Sequence, residues 1–206
     1  MDCLRYFQKK TRQALLWMNL ANEPFVVLYA ILPFIFRKDL QASLLQISIL
    51  TALRPVLPLF SFYWSANLTR RKELLRPNLV LAWTLGRLPF ILVPWIHNPW
   101  YLIFCCVFYE FFNKSGIPAL IEILKINIPK AEREKTYTTY FVLSFCESIL
   151  LGLLTLSLLH HRPSLWPVLC GITALISLSS LWAQLQIPIP EHLLTPSSEA
   201  KKLKIT

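Results

Sequence analysis

Six apolar stretches divide the chain, and short polar segments separate them. A helix needs about 20 apolar residues to cross a bilayer, and each stretch is close to that length. The predicted spans are residues 19–36, 40–64, 79–96, 100–124, 136–159 and 165–185. The pattern therefore predicts an all-α fold, an integral membrane bundle of six helices.

Polar segments flank this bundle at both ends. Residues 1–18 are basic, and their apolar positions recur at helical spacing, which favours a cytosolic or interfacial lead-in helix before the first span. Residues 19–187 form the predicted six-helix bundle. Residues 188–206, with Pro, Ser and Lys, are expected to be a mobile cytosolic tail.

The basic residues lie on alternate sides of the spans. Of the 21 Lys and Arg, fifteen lie in segments that would be cytosolic if the N-terminus is inside, and three lie in the opposite loops. Short loops rich in Lys and Arg stay in the cytosol. The asymmetry predicts that both termini are cytosolic, and we expect a multi-pass protein of a bacterial inner or plasma membrane.

Composition agrees with a membrane location. Hydrophobic residues make up 55% of the chain and charged residues 16%, below the roughly 25% of soluble domains. The topology accounts for the net charge of +10, so we expect the lipid bilayer rather than nucleic acid as the partner. The five cysteines lack metal-ligand spacing and the chain lacks hydrolase signatures, so we expect no metal, no cofactor and no enzyme.

Five charged residues interrupt the predicted spans near mid-depth. Each costs about 2.5 to 3.5 kcal/mol at the bilayer centre, so they should face protein or a water-filled cavity. Residues 110 and 114 can pair at i, i+4, and cross-helix pairing could join residues 54, 87 and 147. Either these ions hold the helices together, or they line a pathway in which the cationic surplus suits an anionic solute. The candidates for such a pathway are Arg54, Arg87, Glu110, Lys114 and Glu147.

A polar run in the fourth span, residues 113–118, contains Gly116 and Pro118. Two interpretations remain open. The helix could be broken at a substrate cavity, or a small residue could allow a close helix crossing. The second is favoured.

The layout resembles the N-terminal half of a major facilitator superfamily transporter over roughly residues 13–190. The turn at residues 63–75 is similar to that family's G-x-x-x-D-R/K-x-G-R-R/K loop, and Arg70 and Arg71 fall on its final basic pair. Its Gly, Asp and Gly are replaced here, by Phe62, Ala66 and Thr69. A second likeness follows the family's fourth helix, where Pro, an acidic position and Pro-x-x-x-Arg are matched by Pro118, Glu122, Pro129 and Arg133.

The resemblance implies a transporter-like protein for an unidentified small solute, with Arg70, Arg71, Glu122 and Arg133 as candidates for control of conformational change. That family builds its pathway from two six-helix halves, and the spans here supply one. A homodimer or a second six-helix half is therefore the expected partner. The alternative is a non-transporting membrane scaffold or a degenerate remnant of a transporter, which the altered loop motif favours.

Overall fold

The computed structural model describes residues 2–69 and 72–189, and the side chains of residues 2–4, 62 and 64–69 lie outside that description. The predicted all-α class is confirmed, and the described ranges contain no strand. The six α-helices are α1 (Asp2–Lys38), α2 (Leu44–Thr69), α3 (Leu75–Arg87), α4 (Pro99–Asn127), α5 (Lys130–His161) and α6 (Trp166–Leu185).

Helix α1 is one continuous helix of 37 residues, so the predicted lead-in helix and the first predicted span belong to the same helix. Its first turns bury Thr11, Ala14 and Met18, and Asn127 Nδ2 donates to Thr11 Oγ1 at 2.9 Å. Tertiary packing therefore covers a face that the sequence pattern assigned to the membrane interface.

Proline has opposite effects in the third and fourth predicted spans. Helix α3 ends at Arg87, and the chain continues as a 3₁₀ segment, Leu88–Leu92, in which Pro89 offers no N–H for an α-helical bond. Helix α4 runs unbroken through Pro118. The broken helix therefore lies in the third span and not at residues 113–118.

Four of the six helical segments are long and apolar enough to cross a membrane: Arg5–Lys38, Leu44–Ser61, Lys130–His161 and Pro163–Leu185. This fits a membrane protein. Helices α3 and α4 are not among these four segments. Helix α3 has only 13 residues, and α4 carries the charged residues Glu110, Lys114 and Glu122.

Contacts along α1 and α4 fix the direction of the helices. Thr11 meets Asn127 near one end of the bundle, and Tyr29 meets Glu110 nearer the other, so α1 and α4 run antiparallel. We call the end where α1 begins the proximal end and the end where α1 finishes the distal end.

The packing partners repeat between the two halves of the chain. Helix α1 packs chiefly against α6 and α5, and α4 packs chiefly against α3 and α2, while α3 also contacts α6. Exchanging α1 with α4, α2 with α5 and α3 with α6 reproduces the same set of neighbours. Because α1 and α4 are antiparallel, the two three-helix units are inverted relative to each other.

Two apolar clusters of the core lie at different depths. The distal cluster includes Phe25, Phe90, Leu102 and Cys170. The proximal cluster includes Met18, Leu79, Ile123 and Ala183. Each cluster draws on α1, α4 and α6 and on the third predicted span, and between the two clusters these same segments carry polar residues.

Gly116 marks a close crossing of α3 and α4, as the favoured interpretation predicted. A Cβ atom added there would lie 3.4 Å from Ala82 Cβ and 3.7 Å from Leu79 Cδ1. A larger side chain would push the two helices apart, because packed interiors do not absorb extra methylene groups.

We expect Gly116→Leu to lower stability by about 1–3 kcal/mol, measured as thermal unfolding in detergent. Gly152→Leu is the matched control, since a Cβ atom at Gly152 would meet nothing within 4 Å. Equal melting temperatures for the two variants would contradict the close crossing.

Candidate functional site

The guanidinium of Arg87 lies at mid-depth between the two apolar clusters and is fully buried. Its Nη2 donates to Asn22 Oδ1 at 2.9 Å and to Asn113 Oδ1 at 3.2 Å. Its Nε donates to Ser177 Oγ at 2.8 Å, and Ser177 Oγ in turn donates to Asn22 Oδ1 at 2.9 Å. Side chains of α1, α3, α4 and α6 therefore converge on one cation, and we call this set the Arg87 junction.

Aromatic rings complete the surroundings of this cation. Its Cζ lies 3.6 Å from the centre of the Trp83 ring and 5.3 Å from that of Tyr109. The Trp83 indole N–H donates to the Ser177 carbonyl at 3.0 Å, which fixes the ring over the guanidinium. Ring faces and neutral oxygens thus hold the charge, since a cation over an aromatic face is attracted by its quadrupole.

No carboxylate pairs with Arg87 among the described residues, where the only salt bridges are Arg12–Glu132 and Lys125–Glu122. The pairing of Arg87 or Arg54 with Glu147, which the sequence left possible, does not form among the described residues. The amide and hydroxyl oxygens of the Arg87 junction accept its N–H groups in place of an anion.

A second polar cluster joins α1, α2 and α4. Tyr29 donates its hydroxyl to Glu110 Oε1 at 3.0 Å, and Arg54 Cζ lies 5.0 Å from the centre of the Tyr29 ring. Nε and Nη2 of Arg54 are shielded from solvent and have no hydrogen-bond partner in the described part of the chain. The Arg54 guanidinium in this cluster therefore has N–H donors available to an acceptor.

The expected pair of Glu110 and Lys114 does not form. Glu110 is occupied by Tyr29, whereas Lys114 is exposed and makes no salt bridge within the described ranges. At this level of α4 it is Asn113, and not Lys114, that contacts the Arg87 junction. Lys114 therefore does not join the other candidate pathway residues.

A third polar cluster joins α1 to α5. Glu23 is buried, with 5% exposure, and accepts hydrogen bonds from the hydroxyl groups of Ser144, at 2.7 Å, and Ser148. Glu147 Oε2 is buried without a hydrogen-bond partner among the described residues. Glu147 thus makes no salt bridge with a cation in the described part of the chain.

The candidate loop residues have local roles where they are described. Arg70 and Arg71 lie outside the described residues. Glu122 pairs with Lys125 on the same helix at 2.5 Å. Arg133 donates to the carbonyls of Ile128 at 3.0 Å and Lys125 at 3.3 Å, which satisfies groups at the end of α4 and fixes the start of α5 against it.

A cavity of about 270 Å³ opens between α1, α3, α4 and α5 in the proximal half. Asn22 and Trp83 line it and also belong to the Arg87 junction, so the cavity and the junction share a wall. The rest of the lining mixes apolar residues of α1 and α4 with polar and aromatic residues of α5.

Sequence reasoning missed the neutral and acidic partners of these clusters, namely Asn22, Glu23, Tyr29, Asn113 and Ser177. Asn22 and Glu23 stood near the predicted start of the first span at residue 19, whereas in the structure they lie well inside α1. The available signal was that an Asn or Ser interrupts three different apolar stretches, a pattern typical of interhelical hydrogen bonding in membranes.

Comparison with protein-family models finds no match to this chain, and comparison with curated proteins finds none.

Proposed function

We propose that the chain forms one six-helix half of a major facilitator-type transporter and moves a small polar or anionic solute together with a second six-helix half or a second copy of itself. In this proposal all six helices cross the membrane and both termini are cytosolic. Inverted three-helix repeats build each half in that family. The repeated packing partners of α1–α3 and α4–α6 support such an arrangement.

The observation that carries the proposal is Arg54 on the sparsely covered helix α2. Only 11% of the apolar segment Leu44–Ser61 of α2 is buried inside the bundle. Two N–H groups of Arg54 are nevertheless shielded from water and have no acceptor among the described residues. An unpaired buried donor costs about 1–3 kcal/mol, and more when it is charged. A carboxylate or phosphate group fits the planar donor fork of an arginine. An anionic solute beside Tyr29 and Arg54 would supply the missing acceptors.

Thermal unfolding of the purified chain with succinate, phosphate or neutral glycerol tests the solute class. We expect one anion to raise the melting temperature of the wild type and of Arg162→Gln, but not of Arg54→Gln. Arg162 is the matched control because it is exposed at the distal end of the bundle. Equal stabilisation of both variants would contradict the role of Arg54.

Single-molecule photobleaching in bilayers tests the need for a second half. We expect two chains in each complex, or one chain with a partner half, whenever vesicles take up the stabilising anion. Uptake by a strict monomer would refute the half-transporter.

Cysteine labelling tests the orientation of the chain in the membrane. A reagent applied outside should reach a cysteine at Ser164 and miss one at Lys130, and the reverse would refute the orientation.

A non-transporting scaffold or transporter remnant is the second candidate. The replacement of the family's Gly, Asp and Gly by Phe62, Ala66 and Thr69 favours it. A monomer that neither binds an anion nor takes one up would support this candidate.

A further inference from the structure

The cavity in the proximal half has an apolar wall and a polar wall. Its apolar wall comes from α1 and α4 and includes Leu15, Met18, Leu120 and Leu124. Its volume of about 270 Å³ lies just below the roughly 300–1,000 Å³ of ordinary ligand pockets. That space suits one alkyl chain better than a bulky solute.

The wall on the α5 side is polar at the proximal end and opens sideways. Arg133, Thr136, Tyr137 and Tyr140 line it there. Farther along α5, Phe141 lines the cavity and is 74% exposed, so the cavity meets the outer surface of the helix bundle. A ligand could enter from the side, from within the lipid layer.

Arg133 is the cation at this opening that has no acidic partner in the described part of the chain. Arg12 is paired with Glu132 and Lys125 with Glu122, each at 2.5 Å. Nε and Nη2 of Arg133 bind backbone carbonyls, whereas its Nη1 makes no hydrogen bond with the described residues. One face of the guanidinium therefore remains available to an anion.

We infer that this cavity binds an anionic phospholipid, with the phosphate at Arg133 and Tyr137 and one acyl chain between α1, α4 and α5. Basic pockets between helices near a membrane surface recognise anionic lipid headgroups. Tyrosines at the polar end of the site suit the headgroup level of a bilayer, where aromatic rings with one polar edge are enriched. The lipid would fill the gap between α5 and the rest of the bundle, where α5 itself buries only Thr136.

This site is independent of the proposed transport function, because it needs neither a second half nor Arg54. Free phosphate shares the headgroup chemistry but leaves the apolar wall uncovered. A phosphatidylglycerol should therefore bind more tightly than its headgroup alone.

Native mass spectrometry of the full chain in a neutral detergent tests the inference, with titrations of phosphatidylglycerol, phosphatidylcholine, glycerol 3-phosphate and inorganic phosphate. We expect preferential retention of one phosphatidylglycerol. Arg133→Gln should weaken its binding about tenfold, since a hydrogen bond to a charged group is lost. Leu120→Trp, which fills the apolar wall and leaves the charge, should weaken it as well, and Arg162→Gln should have no effect.

Arg133 also holds the end of α4, so each variant is compared with and without lipid. A lower melting temperature without lipid, accompanied by unchanged lipid retention, would show that Arg133 is structural only and would overturn the inference. Equal retention of phosphatidylcholine would overturn the anionic preference. Glycerol 3-phosphate binding as tight as that of the lipid, or unchanged binding by Leu120→Trp, would overturn the acyl-chain site.

Discussion

Replacing Arg87 by Ala is expected to unfold the bundle at a much lower temperature than the wild type. The substitution removes the N–H donors to Asn22 Oδ1 and Asn113 Oδ1, so that Asn22 Oδ1 keeps only the Ser177 hydroxyl, and it removes the cation stacked on Trp83. Each unsatisfied buried group costs about 1–3 kcal/mol, and the cavity left by the side chain adds to that cost. We expect a total loss of at least about 3 kcal/mol, measured by thermal unfolding in detergent.

Two further variants separate charge from hydrogen-bond geometry at this position. Arg87→Lys keeps the charge but lacks the planar fork that reaches Asn22, Asn113 and Ser177 together, so it should recover only part of the loss. Arg162→Ala, an arginine truncated on the exposed surface, should melt like the wild type. If Arg87→Ala melted like Arg162→Ala, the Arg87 junction would contribute nothing to the fold.

Replacing Glu23 by Ala is expected to loosen helix α5 from α1. The carboxylate of Glu23 accepts from Ser144 and Ser148, and α5 itself buries only Thr136. Hydrogen bonds to charged groups contribute about 1.5–3 kcal/mol each. We therefore expect a loss of about 2–4 kcal/mol and faster hydrogen exchange confined to α5.

Glu147→Gln is the matched control on the same face of α5. It breaks no described salt bridge, leaves the hydrogen bonds of Ser144 and Ser148 to Glu23 in place and neutralises a carboxylate whose Oε2 is buried without a partner, so it should leave stability unchanged or raise it. Destabilisation by Glu147→Gln together with wild-type melting of Glu23→Ala would reverse the roles assigned to the two acids.

Much of the fold follows from the sequence because each helix is a long apolar stretch bounded by prolines and charges. The boundary at Asn98 and Pro99 is an example, since Asn98 Oδ1 accepts from Trp100 N at 2.8 Å and Pro99 occupies the first turn. The packing of the first half of α1 into the core was not predicted, because it depends on contacts with α4 and α6, which no local pattern reveals.

The candidate site was harder to predict because the prediction considered only charged residues as partners and overlooked neutral ones. Arg87 was identified, but its partners were sought among carboxylates. The structure instead meets the guanidinium with Asn22, Asn113 and Ser177, whose depth in the bundle depends on how four helices align. Spacing along one helix could not supply that alignment.

That alignment has a mechanical consequence. Sliding α1, α4 or α6 by one helical turn, about 5.4 Å, would carry one acceptor away from the Arg87 guanidinium and weaken the hydrogen bonding of a charge in an apolar interior. The Arg87 junction therefore resists a change in the register of α1, α3, α4 and α6. Among the described residues, α2 and α5 contribute no side chain to it, so a shift of α2 or α5 would leave the hydrogen bonds of Arg87 in place.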